Sequence, residues 1–148
     1  MPRTRTANPP SQRVKVAGRH APLSRATVIL AAETVLTAER RGAQLSISFL
    51  GRDAMRTMNR HWTARDALTD VLAFPLPLPD GSLAGDIYIC PWVAAREARA
   101  RGLPVRQEMV RLVVHGVLHV LGYDHPEDEE RMKSPMWKRQ ERLVRRVG

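Results

Sequence analysis

The sequence predicts an α+β fold in which a single small mixed β-sheet is covered by helices. Short segments in which apolar and polar residues alternate indicate strands, and residues 44–50 are the clearest of them. Longer segments with apolar residues three to four positions apart, such as residues 26–40, indicate helices that pack on the sheet. The length of 148 residues is typical of one domain, and no internal repeat or change of composition marks a second.

The N-terminal region predicts a tail followed by an edge strand. Residues 1–11 contain Pro, Thr, Arg and Ser with no aliphatic residue beyond Met1, which indicates a disordered basic tail. The folded domain is therefore expected to span residues 12–148. The first strand is predicted at an edge of the sheet, and Ser24 is expected to cap the helix that follows it.

The rest of the chain continues the pattern of strands and helices. Prolines predict a stiff loop at residues 75–81 with a turn at Asp80-Gly81, and Pro135 is expected to kink or break the final helix. The predicted order is strand, helix, strand, helix, strand, strand, helix, helix, helix. The strands are residues 13–17, 44–50, 71–75 and 85–90, and the helices are residues 26–40, 53–61 and 92–101, one that follows Val105 and ends near Leu121, and one that opens at residues 126–130.

The balance of charge favours an anionic partner. The chain has 24 Lys and Arg against 15 Asp and Glu, a formal net charge of +9, and nucleic acid is the commonest partner of such a protein. Six basic and no acidic residues lie in the first 25 positions, and seven basic residues with only Glu141 opposing them lie in residues 131–148. Both ends are therefore expected to contact phosphates in a salt-dependent way.

Cysteine content and hydropathy indicate a cytoplasmic protein that does not enter a membrane. Cys90 is the only cysteine, which excludes an internal disulfide and suits a reducing compartment; we expect it to be a buried thiol at the end of a strand. No apolar run approaches the roughly 20 residues of a membrane span, and the basic N-terminus lacks the apolar core of a secretory signal.

Three of the five histidines lie within eleven residues, at spacing H-x3-H-x5-H. His115 and His119 are four residues apart in a predicted helix, so their rings project from one face. Gly122 stands where a helix commonly ends, because glycine adopts the left-handed conformation without a Cβ clash. The chain can therefore turn there and bring His125 to the same metal ion. The alternative is a buried helix with incidental histidines, which this spacing disfavours.

Three neutral imidazoles suit one Zn²⁺ per chain and leave a fourth position for water, as in catalytic zinc sites. The same ligands also accept nickel, copper or iron. A zinc protease of the H-E-x-x-H type carries a glutamate after its first histidine as general base, and this chain has Gly116 there. The sequence therefore predicts a catalytic metal and argues against peptide hydrolysis.

Two stretches resemble the signatures of the YbeY family of bacterial metal-dependent endoribonucleases. The first signature is H-G-x-L-H-L-x-G-Y-D-H, and the second is approximately L-N-x-x-Y-R-x-x-D-x-P-T-D-V-L-S-F-P. The matching residues of the first are His115, Gly116, Leu118, His119, Gly122, Tyr123, Asp124 and His125; those of the second are Asn59, Asp66, Thr69, Asp70, Val71, Leu72, Phe74 and Pro75; and Gly85, Asp86 and Ile87 match a further G-D-I.

The resemblance implies a fold and an activity. The family has a sheet covered by helices, with the metal helix lining a cleft as in zinc-protease catalytic domains. It implies a zinc-dependent endoribonuclease specific for single-stranded RNA, acting in ribosomal RNA maturation and ribosome quality control. The implied partners are small-subunit ribosomal RNA, the small ribosomal subunit and its assembly factors.

One departure from the family pattern concerns an arginine thought to act in RNA cleavage. Its position holds Thr63, and Arg65 is the nearest candidate to replace it. A planar, permanently charged guanidinium suits a phosphate and its transition state, and threonine does not. The candidate catalytic residues are therefore His115 itself, Arg65, Asp70 and Asp124. Asp124 is expected to orient a metal-binding histidine by a hydrogen bond, or else, like Asp70, to bind backbone amides in a turn.

Two other functions compete with RNA cleavage. The first is a non-catalytic, metal-stabilised ribosome-assembly module, which Thr63 favours. The second is a metal-dependent hydrolase that acts on another bond, which only the metal helix favours.

Overall fold

The computed structural model describes residues 13–126 and 128–148, so the predicted basic tail at residues 1–11 lies outside the described residues. Within them the predicted order of elements is confirmed, with one additional 3₁₀ helix before the last α-helix. The strands are β1 (Val14–Gly18), β2 (Gln44–Phe49), β3 (Val71–Pro77) and β4 (Leu83–Ile89); the α-helices are α1 (Arg25–Glu39), α2 (Arg52–Thr63), α3 (Pro91–Ala100), α4 (Val105–Val120) and α5 (Pro135–Val147); the 3₁₀ helix spans Glu129–Lys133.

The four strands form one mixed sheet in the order β1-β2-β4-β3. β1 pairs with β2 and β2 with β4 in parallel, whereas β3 runs antiparallel to β4. Ile87 in β4 therefore faces Ile47 on one side and Ala73 on the other. The α+β class with a mixed sheet is confirmed, and β1 lies at an edge as predicted.

The first part of the proline-rich segment, residues 75–77, is a strand rather than part of the predicted loop, whereas the predicted turn at Asp80-Gly81 is present. β3 continues through Pro77, and Leu76 and Pro77 pair with Ala84 and Leu83. Proline lacks a backbone N–H and is tolerated in edge strands, where only one side of the backbone has a partner. β3 is such an edge strand, and its last residues are exposed. The prediction ended the strand too early because it treated proline as a breaker.

The C-terminal region divides at Pro135, as predicted. The 3₁₀ helix ends before Ser134, whose Oγ accepts a hydrogen bond from the Trp137 amide at 3.2 Å and caps α5. Pro135 occupies the first turn of α5, where its missing N–H is no loss. The prediction that the final helix begins at residues 126–130 was therefore wrong, because the helix begins at Pro135. The basic residues of this region belong to an amphipathic helix that buries Met136, Gln140, Leu143 and Val144.

Helix α4 is the centre of the hydrophobic core. Twelve of its sixteen residues are buried, and it packs against α1, α3, α5 and the sheet. It approaches β4 closely at two glycines: a Cβ on Gly116 would lie 2.7 Å from Ile87 Cγ2, and a Cβ on Gly85 would lie 2.5 Å from Val120 Cγ1. Cys90 is fully buried, as predicted. None of the helices among residues 13–126 and 128–148 has the length and apolarity to cross a membrane.

Candidate metal centre

The three histidines meet at the C-terminal end of α4. The ring centroids of His115 and His119 are 4.6 Å apart, and that of His125 lies 5.1 Å from each. One potential ligand atom from each ring lies within 4.8 Å of the other two. The chain returns through Gly122, whose φ is +103° and whose amide donates to the His119 carbonyl at 3.0 Å. The three-histidine arrangement is therefore the one that the spacing predicts.

Every histidine of this triad has an oxygen acceptor at its Nδ1 atom. Nδ1 of His115 lies 2.7 Å from Oε1 of Gln140, Nδ1 of His119 lies 2.9 Å from the Tyr123 carbonyl, and Nδ1 of His125 lies 2.8 Å from the Pro126 carbonyl. Oxygen can only accept here, so each Nδ1 carries the proton and donates. Each Nε2 then presents a lone pair, which is the state that a metal ligand requires. The donor set fits a divalent transition-metal ion.

Burial keeps the two histidines of α4 neutral. The side chain of His115 is almost inaccessible, and this burial is the main reason that its pKa falls to about 3. The pKa of His119 is also lowered, first by burial and then by its neighbour His125. Neutral imidazole is favoured at pH 7 because a buried charge is poorly solvated. The two helical ligands are therefore ready to bind a cation without losing a proton.

Two adjoining cavities of about 370 and 380 Å³ open at the triad. The smaller contains all three histidines, and the larger extends along α3 and α4 towards Trp137. Thr69, Asp70, His115 and Arg131 line both cavities. Together the cavities form the cleft that the metal helix was predicted to line, and Asp70 and Arg131 stand at their junction.

Asp70 lies at the end of a loop that two hydrogen bonds fix to the rest of the fold. Asn59, which is buried, donates from Nδ2 to the Ala67 carbonyl at 2.8 Å, and the Asp70 carbonyl accepts from the Cys90 amide at 2.9 Å. The pKa of Asp70 is raised, chiefly because the carboxyl group is buried, while the positive charge of Arg131 opposes the rise. The structure thus brings the predicted residue Asp70 beside the triad as a candidate proton acceptor.

Asp124, Thr63 and Arg65, unlike Asp70, do not line the two cavities. Asp124 is exposed, and its Oδ1 accepts from the His125 amide at 2.8 Å, so it fixes the backbone of that ligand. Thr63 Oγ1 donates to the Asn59 carbonyl at 2.7 Å and belongs to the last turn of α2. Arg65 is exposed on the following loop and is not among the residues that line the two cavities.

Sequence reasoning missed two residues of the site. Gln140 is fully buried and holds the His115 ring, and Arg131 lies between the cavities. Gln140 had a signal, because it is the polar member of the apolar stripe of α5. Arg131 had a weaker one: it opens the basic C-terminal segment six residues after His125. Neither feature of the sequence predicts which histidine Gln140 contacts or which cavity Arg131 lines.

Comparison with known proteins agrees with the two motifs. The family model described as Endoribonuclease YbeY matches residues 12–148. Proteins named Endoribonuclease YbeY from Halorhodospira halophila and Anaeromyxobacter sp. are 40% and 47% identical over 110 and 97 residues, which cover 69% and 63% of this chain and 71% and 50% of those proteins. The chain thus spans only half the length of the second relative.

A solved structure agrees with the fold. The solution structure of TM1509 from Thermotoga maritima superposes with a TM-score of 0.64 at 26% identity, and the alignment covers 90% of this chain and 88% of that one. The family match extends over the described strands, helices and triad alike. The chain belongs to the Endoribonuclease YbeY family.

Proposed function

We propose that this protein is a zinc-dependent endoribonuclease that cleaves single-stranded RNA in the cytoplasm, with small-subunit ribosomal RNA as its substrate and the small ribosomal subunit and its assembly factors as partners. Membership of the family supports the RNA-cleaving activity. The observation that carries the metal dependence is the convergence of three histidines whose Nδ1 atoms all donate to oxygen.

His115, His119 and His125 are the proposed ligands of one zinc ion per chain. Zinc held there would supply Lewis acidity towards a phosphoryl oxygen and would lower the pKa of a water molecule towards about 7. Gln140 and the Tyr123 and Pro126 carbonyls orient the three rings and fix their tautomers. Asp124 contributes by holding the backbone of His125.

Asp70 is the proposed general base. It lines the same cavity as the triad, and its raised pKa makes it a better proton acceptor than an ordinary aspartate. In the proposed step an attacking hydroxyl gives its proton to Asp70 as a new oxygen–phosphorus bond forms and the bond to the leaving oxygen breaks. Arg65 stays a predicted source of positive charge at the phosphate, although it lies outside the two cavities.

The packing of Gly116 opposes the peptidase alternative. In an H-E-x-x-H protease this position carries the general base. Here a Cβ would lie 2.7 Å from Ile87 Cγ2, so the position faces the sheet. A side chain at position 116 would therefore be directed into the core and away from a bound substrate.

One observation favours the assembly-module alternative. Thr63 stands where the family resemblance leads us to expect an arginine, and its hydroxyl is engaged in the last turn of α2. A protein without any guanidinium at the cleaved phosphate would bind RNA and metal without efficient turnover. This alternative predicts a metal-bound, RNA-binding protein with no cleavage.

Cleavage assays with matched RNAs test the proposed function. Purified protein is incubated with a single-stranded RNA and with the same strand in a duplex, with and without a chelator, followed by zinc readdition. We expect cleavage of the single strand that chelation abolishes and zinc restores. Near-stoichiometric zinc in protein purified without added metal is expected as well.

The control replaces histidines inside and outside the triad. The double variant His115→Ala/His119→Ala should lose both zinc and cleavage, whereas His61→Ala, an exposed histidine of α2, should keep both. Equal zinc contents in the two variants would contradict the metal site. Zinc and RNA binding without cleavage in the unmodified protein would favour the assembly module.

A further inference from the structure

Arg131 is held at the junction of the two cavities by its backbone. Its amide donates to the Asp128 carbonyl at 3.0 Å, and its carbonyl accepts from the Ser134 amide at 3.2 Å and from Ser134 Oγ at 2.6 Å. These bonds belong to the 3₁₀ helix and to the cap of α5. The position of the Arg131 backbone is therefore set by elements that do not depend on its side chain.

The side chain of Arg131 has a buried hydrogen-bond donor without an acceptor. Its Nε is the one buried side-chain nitrogen or oxygen without a hydrogen-bond partner in the described part of the chain. Its guanidinium carbon lies 6.0 Å from the ring centre of Trp137, a weak cation–π distance. A buried N–H of a charged group is costly to leave unpaired. An acceptor supplied by a ligand would remove that cost.

The acidic residues of the cavities whose side chains the structure describes do not supply this acceptor. Glu108 lies in the same cavity but is bound by Arg111 at 2.8 Å and Arg101 at 3.3 Å. Glu97 is paired with Arg96 at 3.5 Å. Asp70 shares both cavities with Arg131, and the two side chains form no ion pair within 4.0 Å among the described residues. Arg131 therefore lines the cleft without an ion-pair partner among the side chains that the structure describes.

We infer that Arg131 is a catalytic residue that binds the phosphate of the cleaved bond through its guanidinium, in the cavity that it lines together with the three histidines. This inference rests on the proposed function. A guanidinium offers a planar set of donors that match phosphate oxygens and retains its charge at any working pH. It lines the cavity of the triad and so reaches a phosphate bound there. The positive charge at the reacting group then comes from the C-terminal region rather than from the loop after α2.

Kinetics of Arg131 variants test the inference. Arg131→Gln should lower kcat/KM for single-stranded RNA by about 10² to 10³, the usual effect of removing one preorganised donor from a developing negative charge. Arg131→Lys should recover part of this loss, because lysine keeps the charge without the planar fork. Zinc content should equal that of the unmodified protein in both variants.

Lys133→Gln is the matched control. It removes the same charge from the same 3₁₀ helix, but Lys133 is 77% exposed and does not line either cavity. Its kcat/KM should stay within about threefold of the unmodified protein, since exposed charges contribute little. Equal losses in Arg131→Gln and Lys133→Gln would overturn the inference, because they would reduce Arg131 to part of the general positive field.

Binding measurements separate this inference from the proposed function. If the unmodified protein does not cleave RNA, a fluorescently labelled ten-nucleotide single strand serves as the probe, titrated at several salt concentrations. Arg131→Gln should then reduce the slope of log affinity against log salt by about 0.7, one phosphate contact on a single strand. The same slope in Arg131→Gln and Lys133→Gln would refute a phosphate contact whether or not the protein is an enzyme.

Discussion

Two arginines that line the cavity beside His115 differ in how their charge is neutralised. Arg111 is 8% exposed and fully engaged: Nε and Nη2 donate to the Glu141 carboxylate at 2.8 and 2.9 Å, and Nη1 donates to Glu108 at 2.8 Å. Arg131 forms no ion pair within the described residues, and its Nε has no acceptor. The comparison indicates that proximity to the site does not make an arginine functional. Arg131, which has no ion-pair partner in the described part of the chain, is the one that we expect to bind a ligand.

The largest expected difference between the two is in stability. Arg111→Met should lower the free energy of unfolding by about 3 kcal/mol, because it leaves the buried Glu108 and the half-buried Glu141 without their main cation. Arg131→Gln should change it by less than about 1 kcal/mol, since no ion pair is lost. Urea denaturation of both variants measures this. A larger loss in Arg131→Gln would show that its charge stabilises the fold.

The acceptor behind His115 provides a second test, on metal affinity. Gln140→Met removes the oxygen that fixes the Nδ1 proton of His115 while roughly preserving volume. We expect zinc affinity to fall by about 10- to 100-fold, as measured by competition with a chromogenic chelator. Lys138→Met, an exposed residue of the same helix, is the control. Unchanged zinc affinity in Gln140→Met would mean that Gln140 does not orient the His115 ring for metal binding.

A third test uses pH and metal-free protein. The pKa of His115 is lowered to about 3 in the folded state, against an ordinary value of 6.5. Below pH 6.5 His115 therefore binds a proton in the unfolded chain but stays neutral in the folded protein. The free energy of unfolding falls as pH decreases from 6.5 towards 3. From pH 7 to 5.5 this amounts to about 1 kcal/mol.

Calorimetry or urea denaturation at the two pH values measures the loss. His115→Gln, which does not titrate, should show a smaller loss by that amount. The pKa of His119 is lowered too and contributes in the same direction. The same loss in His115→Gln and the unmodified protein would contradict a buried, neutral His115.

The smallest expected effect concerns Arg65. If Arg65 replaces the missing arginine, as the sequence predicts, Arg65→Ala should reduce cleavage by about 10² to 10³. Because Arg65 is exposed and outside both cavities, the structure leads us to expect a reduction of less than about tenfold, smaller than in Arg131→Gln. Parallel kcat/KM measurements decide between them. A larger loss in Arg65→Ala would return the role to that residue.

The sequence predicted what depends on local spacing. His115, His119 and His125 lie within eleven residues, so helix periodicity and the turn at Gly122 place them together. The element order followed from hydrophobic periodicity for the same reason. The extension of β3 to Pro77 could not be predicted from the local sequence. Prolines are acceptable there only because β3 lies at the edge of the assembled sheet.

Residues that meet across long distances in the chain could not be predicted. Gln140 reaches His115 across 25 positions, and Glu141 reaches Arg111 across 30. Both contacts depend on the packing of α5 against α4, which periodicity indicates only as a general apolar interface. The proposed role of Arg131 in place of Arg65 likewise depends on where the 3₁₀ helix and the loop after α2 lie in the folded protein.

Helix α5 connects the candidate metal centre to the C-terminal part of the fold. Its consecutive residues Gln140 and Glu141 are hydrogen-bonded to each other at 3.2 Å, and they hold His115 and Arg111 respectively. A bound ion stabilises the folded state that binds it, and an ion at the proposed site would stabilise α5 as well, through Gln140. Removal of such an ion is therefore expected to loosen α5 and make it more susceptible to proteases, which limited proteolysis with and without zinc would detect.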